Sequence, residues 1–303
     1  MSFFGNIMNN YFYGKSGKGD YRIEDMPQNR RQLFGAVLKT RWSALVGVNL
    51  LYVLFWLPAA AWTILNYVTL ASTETTDTGS LLSTYLLILI PLIALTGPFT
   101  AGATYVLRNW ARDEHSFVWS DFWDAVRGNW KQGLIVSTIS GFLPYLVFVG
   151  YSFYGTMATQ KSVVFMIPLA LLFLVFIVWK LSEMIIYTLM VTYDLKTKDL
   201  IRNAILLTIG KLPLAVGVKL LTWIVPILAV ALLFIVPSIE PYVLLVVGLL
   251  YLVYMPGFNR LITCSYSNAL CEKYLNTKIG APTNIGLRPE NWDDTEYRPE
   301  DDE

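Results

Sequence analysis

Lys180 and Glu183 stand three residues apart at the end of Val163 to Trp179, a run of 17 uninterrupted apolar residues. At that spacing on a helix the two charges can pair with each other at a membrane interface, or line a cavity or a contact surface. Gly97-Pro98 and Pro256-Gly257 interrupt two other apolar stretches. Proline removes a backbone donor and frees a carbonyl, so each step could hold an ion or polar ligand, with Thr96, Thr100 and Thr104 as polar neighbours of the first. The alternative is a kink absorbed in helix packing, where Gly102 and Ala103 permit close approach. Lys219 lies inside a further apolar stretch and is expected to snorkel towards its polar end.

Covalent chemistry has little to work with. His115 is the one histidine, beside Asp113 and Glu114, and a single imidazole without suitably spaced carboxylates builds no metal site. Cys264 and Cys271 are seven residues apart, about 10.5 Å along a helix and beyond disulfide reach. Gly14 to Gly19 follows no strand and ends in Asp20, without the Lys-Ser pair that must follow the last glycine of a phosphate-binding loop. No nucleophile has a base at a usable spacing. The expectation is a protein that is not an enzyme and holds no metal and no cofactor.

The elements that position these groups are set by lipid. The chain has 303 residues, 55% of them hydrophobic and only 15% charged, whereas soluble domains are about 25% charged. A hydrocarbon core about 30 Å thick needs roughly 20 apolar residues per helix. Six segments reach that length: Ser43 to Leu70, Leu81 to Leu107, Gly133 to Tyr154, Val163 to Asp194, Leu214 to Ser238 and Tyr242 to Cys264. Of the 23 lysines and arginines, all but Lys161 and Lys219 fall on one side of this arrangement. The positive-inside rule then puts both termini in the cytoplasm and the chain in the plasma membrane. A net charge of +1 offers no basic field for nucleic acid.

The expected fold is all-α: a polytopic membrane protein with six transmembrane helices as three hairpins plus cytoplasmic amphipathic helices. One such helix is expected near residues 117–131, where Trp119, Phe122, Trp123, Val126 and Trp130 recur at helical spacing. The other is expected near 198–210, with Leu200, Ile201, Ala204, Ile205 and Thr208 on one face and Asp199, Arg202 and Asn203 opposite. The matching runs FWDA (122–125) and IRNA (201–204) suggest a repeated device. These stripes either anchor the chain at the lipid headgroups or dock another protein, and Trp119, Phe122, Trp123, Trp130, Arg202 and Asn203 are the candidate contacts. Residues 1–42 read as a cytoplasmic amphipathic segment, 43–265 as the membrane domain, and 266–303 as a mobile, acidic cytoplasmic tail.

The run GPFTAGATYVLR (97–108), followed by DFWDAVRGNWKQ (121–132), resembles the central signature of the YesL-like family of bacterial membrane proteins. A second block, YTLMVTY (187–193) through IRNA (201–204) to KLP (211–213), is similar to the family's later signature. That resemblance covers roughly residues 10 to 215 and implies a six-span protein of unknown function, often encoded beside carbohydrate ABC importers. It implies no catalytic residues.

Two functions compete at this level. One is an accessory membrane protein, associated with the permease or ATPase subunits of a carbohydrate ABC importer and acting by contact. The other is an autonomous transporter or channel with a site at the helix breaks, built from Gly97, Pro98, Thr100, Lys180, Glu183 and Pro256. Membrane lipids are partners under either reading.

Overall fold

A computed structural model describes residues 26–72 and 77–289. The apolar stripe from Phe3 to Tyr11, the glycine-rich turn and the acidic residues from Glu290 onward lie outside the described residues. Among the described residues every regular element is helical. Asn29 starts α1 (Arg30–Leu54) by accepting hydrogen bonds from the Arg31 and Gln32 amides, two of the donors that a helix start leaves without partners. There follow α2 (Leu57–Ser72), α3 (Thr78–Trp110), α4 (Val118–Gln160), α5 (Met166–Met190), α6 (Thr197–Gly210) and α7 (Leu212–Thr222). The last helices are α8 (Ile224–Ile235), α9 (Glu240–Val253), α10 (Met255–Cys271) and the single turn α11 (Thr277–Ile279).

Among the described residues, four helices are long and apolar enough to cross a membrane, and up to six spans result if each sharply bent pair counts as one. The side chains are distributed as lipid requires. Neither α8 nor α9 buries a residue within the chain, and α2 buries only Ala59. Phe234 is 84% exposed, and Ile64, Leu65, Val68 and Leu245 are exposed with it. A continuous apolar exterior of this extent has no stable place in water. Inside the bundle, by contrast, Asn49, Thr96, Thr104, Ser182 and Ser267 are buried.

Where expected segments are not single helices, a proline explains the break. Ser43 to Leu70 divides at Phe55 and Trp56, because Pro58 has no amide to offer the carbonyl of Leu54. Leu214 to Ser238 divides at Trp223, three residues before Pro226. The segment near 117–131 is not a separate interfacial helix: it is the first part of α4, which runs unbroken for 43 residues. The expected second amphipathic helix is α6, which buries Leu200, Ala204 and Thr208 and meets α7 at 98°. The last expected span continues beyond residue 265 as a buried helix carrying Tyr266, Ser267, Asn268, Leu270 and Cys271. Residues 266–276 are therefore part of the core, and not of a mobile tail.

Small residues form the central seam, between α3 and α4. A Cβ on Gly133 would stand 2.9 Å from the carbonyl carbon and oxygen of Gly97. One on Gly102 would stand 2.8 Å from the Phe122 carbonyl oxygen. Two helix backbones touch here because nothing protrudes between them. The pairing of 102 with 122, 97 with 133 and 90 with 141 runs the two helices antiparallel.

Candidate functional site

Three prolines organise the polar groups of the bundle. Proline at position i leaves the carbonyl of i−4 without its helical donor, and in a lipid-facing bundle that oxygen must find another. Pro98 frees the carbonyl of Ala94, which accepts from Ser137 Oγ at 2.6 Å. Pro226 frees that of Thr222, which accepts from Asn259 Nδ2 at 3.1 Å. Pro256 frees that of Leu252, which accepts from Asn49 Nδ2 at 2.8 Å, while Asn49 Oδ1 accepts from the Gly257 amide at 2.8 Å. Each donor comes from a different helix than its proline.

The outcomes differ. Helix α3 passes through Pro98 without interruption, so Gly97-Pro98 is no break: the two residues are buried in the α3–α4 seam. At Pro256 the chain does break, with Tyr254 at φ −143° and ψ −42° and a 57° bend between the flanking helices. The difference lies in what each side needs. Ser137 mends one carbonyl in a helix already clamped to its neighbour, whereas Asn49 replaces two hydrogen bonds and can hold the ends of two separate helices.

Beside these mended prolines lies a polar relay. Arg260 Nη2 donates to the Tyr52 hydroxyl at 3.5 Å, Tyr52 lies 3.1 Å from Thr100 Oγ1, and Thr100 donates to the Thr96 carbonyl at 2.9 Å. The Arg260 guanidinium also sits 5.3 Å from the centre of the Tyr187 ring, a favourable place for a cation. Lys180 Nζ and Glu183 Oε2 pair at 3.1 Å, and Lys219 and Arg260 lie within electrostatic range of the same carboxylate. The structure thus joins Thr100, Lys180 and Glu183 to one region, and leaves Gly97 and Pro98 sealed from it.

A separate feature, a cleft of about 820 Å3, lies at the bundle end that holds the α3–α4 connection. Its walls are residues 128–132 of α4 and the turn 190–195 after α5, so it brings the two family-like blocks face to face. Gln132 Nε2 donates to the Leu195 carbonyl at 2.8 Å, and Arg108 Nη2 to that of Val191 at 3.1 Å. Tyr193 donates to Asn276 Oδ1 at 2.6 Å. Burial, followed by the neighbouring Cys271 thiol, pushes the Tyr193 phenol above its ordinary range.

The aromatic residues of this region part ways. Trp119 and Trp130 are 67% and 51% exposed, and Trp130 lines the cleft. Phe122 is fully buried against Gly102 and is not available to a partner. Trp123 is half-buried, held edge-on by Phe55 and Phe99 at 5.9 and 6.1 Å, and packs against the core. The α4 face that follows α3 must continue inward once the helix is unbroken, and it takes Phe122 and Val126 with it. On α6, Arg202 is exposed and Asn203 half-buried, away from the cleft's lining residues.

Sequence reasoning assigned no role to Arg260, Ser137, Asn259 or Asn49. The signal was available for Arg260, which stands four residues beyond Pro256 inside an apolar stretch. Among the described residues no group of three or more His, Cys, Asp or Glu could hold a metal ion. No curated protein and no solved structure matches the chain. Residues 45–151, from within α1 to near the end of α4, match the model of a family described as a protein of unknown function, DUF624.

Proposed function

We propose that this chain is a multi-pass accessory protein of the plasma membrane that acts by docking a partner at the cleft between residues 128–132 and 190–195. The carrying observation is the cleft itself, with the exposed indole of Trp130 in its wall and that of Trp119 on the same helix. Exposed tryptophan beside a polar concavity is the composition of a contact hot spot. The YesL-like resemblance suggests the partner: the permease or ATPase subunits of a carbohydrate ABC importer, met on the cytoplasmic side. Both signature runs at 97–108 and 121–132 fall inside the family-matched stretch.

The test is co-purification from native membranes in mild detergent. The double variant W119A/W130A is expected to insert normally and lose its importer subunits, since neither side chain belongs to the core. Undiminished co-purification, or a wild-type chain that purifies alone, overturns the proposal. A transporter with its site at the helix breaks is a weaker reading, because Ser137 and Asn49 already occupy the carbonyls it would use. Solute flux in liposomes holding only this chain would restore it.

A further inference from the structure

The bundle holds more positive charge than it neutralises. Lys180 on α5, Lys219 on α7 and Arg260 on α10 all lie within electrostatic range of Glu183. Three cations against one anion leave a formal excess of two positive charges. Glu183 accepts its hydrogen bond from Lys180. Among the described residues, neither Lys219 nor Arg260 has an ion-pair partner. Arg260 has only the Tyr52 hydroxyl at 3.5 Å and the face of Tyr187, and Lys219 lies 5.9 Å from the Trp223 ring centre.

The surroundings make that excess costly. Lys219 sits on a helix whose neighbours Leu214, Leu220 and Leu221 face outward, where a membrane protein meets hydrocarbon. Cations at such a depth are paired or face a polar partner. The site is also open enough to be filled, since the Lys180 and Glu183 side chains are 30% and 22% exposed and α7 buries only Ala215 and Thr222.

We propose that Lys180, Lys219 and Arg260 bind a phosphate-bearing anion. A phosphodiester or phosphomonoester supplies one or two negative charges and several acceptor oxygens, which matches the excess and suits an arginine fork flanked by two ammonium groups. Two sources share this chemistry: the headgroup of an anionic phospholipid entering sideways past α7, or a soluble phosphate.

The experiment uses the full chain, delipidated and placed in nanodiscs of phosphatidylcholine with or without phosphatidylglycerol. Retained lipid is counted by native mass spectrometry, and thermal unfolding is followed with and without inorganic phosphate. Selective retention of phosphatidylglycerol, weakened about tenfold in K219Q by loss of one charge-assisted contact, identifies the lipid source. Stabilisation by inorganic phosphate in plain phosphatidylcholine, lost in K219Q, identifies the soluble one. K219R keeps the charge and is expected to keep the binding in either case, so its failure would assign the effect to packing and overturn the proposal. Absence of both responses in the wild-type chain also overturns it. R260Q serves as a second variant, read only where its unfolding remains cooperative.

Discussion

Replacing Asn49 with alanine removes both hydrogen bonds that hold the break at Pro256. The lost partners are the Leu252 carbonyl and the Gly257 amide, each bonded at 2.8 Å. A buried polar group left unpaired costs about 1–3 kcal/mol in general. Hydrogen bonds between helices in membranes average about 0.6 and reach about 1.7 kcal/mol, because the unfolded chain in lipid also finds partners. Two such bonds put N49A at about 1–3 kcal/mol of destabilisation, measured by reversible unfolding in mixed detergent micelles. The sharper test is the double-mutant cycle with P256A. Alanine at 256 restores an amide that can donate to Leu252 within the helix, and a straightened helix offers Gly257 the carbonyl of Val253. In that background N49A is expected to cost less than about 0.5 kcal/mol, giving a coupling above about 0.5 kcal/mol. Additive effects within about 0.5 kcal/mol would refute the claim that Asn49 is there to serve the proline.

Two further outcomes follow from the geometry. G133A would press a methyl group 2.9 Å from the Gly97 carbonyl group, and is expected to destabilise by about 1–3 kcal/mol or more. G128A, which has open space around it, should be neutral in the same unfolding assay. Burial raises the Tyr193 phenol, so the neutral form is favoured in the folded state; its contribution is complete below the ordinary phenol range and declines as pH rises from about 10 upward. Y193F should therefore lose less stability than the wild type between pH 9 and about 11, and an identical slope in the two proteins would count against a buried neutral phenol.

Much of the architecture is legible in the linear pattern. Apolar stretches such as Val163 to Met190 are long enough to cross hydrocarbon and too poor in charge to fold in water, and Leu200, Ala204 and Thr208 repeat at a period that only a helix puts on one face. These are local facts, governed by rise per residue and by side-chain period. They establish an all-helical chain suited to a membrane and locate the prolines that interrupt it.

What happens at each proline was decided elsewhere in the chain. Asn49 reaches Leu252 across 203 residues, and Arg260 reaches Tyr52 across 208. No window of sequence contains both ends of such a contact. Pro98 sits in a continuous helix because Ser137 happens to face Ala94 across a glycine seam, and Pro256 sits at a break because Asn49 holds two separated helix ends. The same distinction separates Trp119 and Trp130, which face outward, from Phe122, which the α3–α4 packing draws into the core. Local composition determined that the chain seeks lipid; the tertiary structure decided which polar groups are already satisfied and which, Lys219 and Arg260 above all, have no ion-pair partner among the described residues. The reason is physical: a freed carbonyl or a buried cation is defined by its own residue, whereas its neutralisation depends on whatever the fold brings within hydrogen-bonding distance.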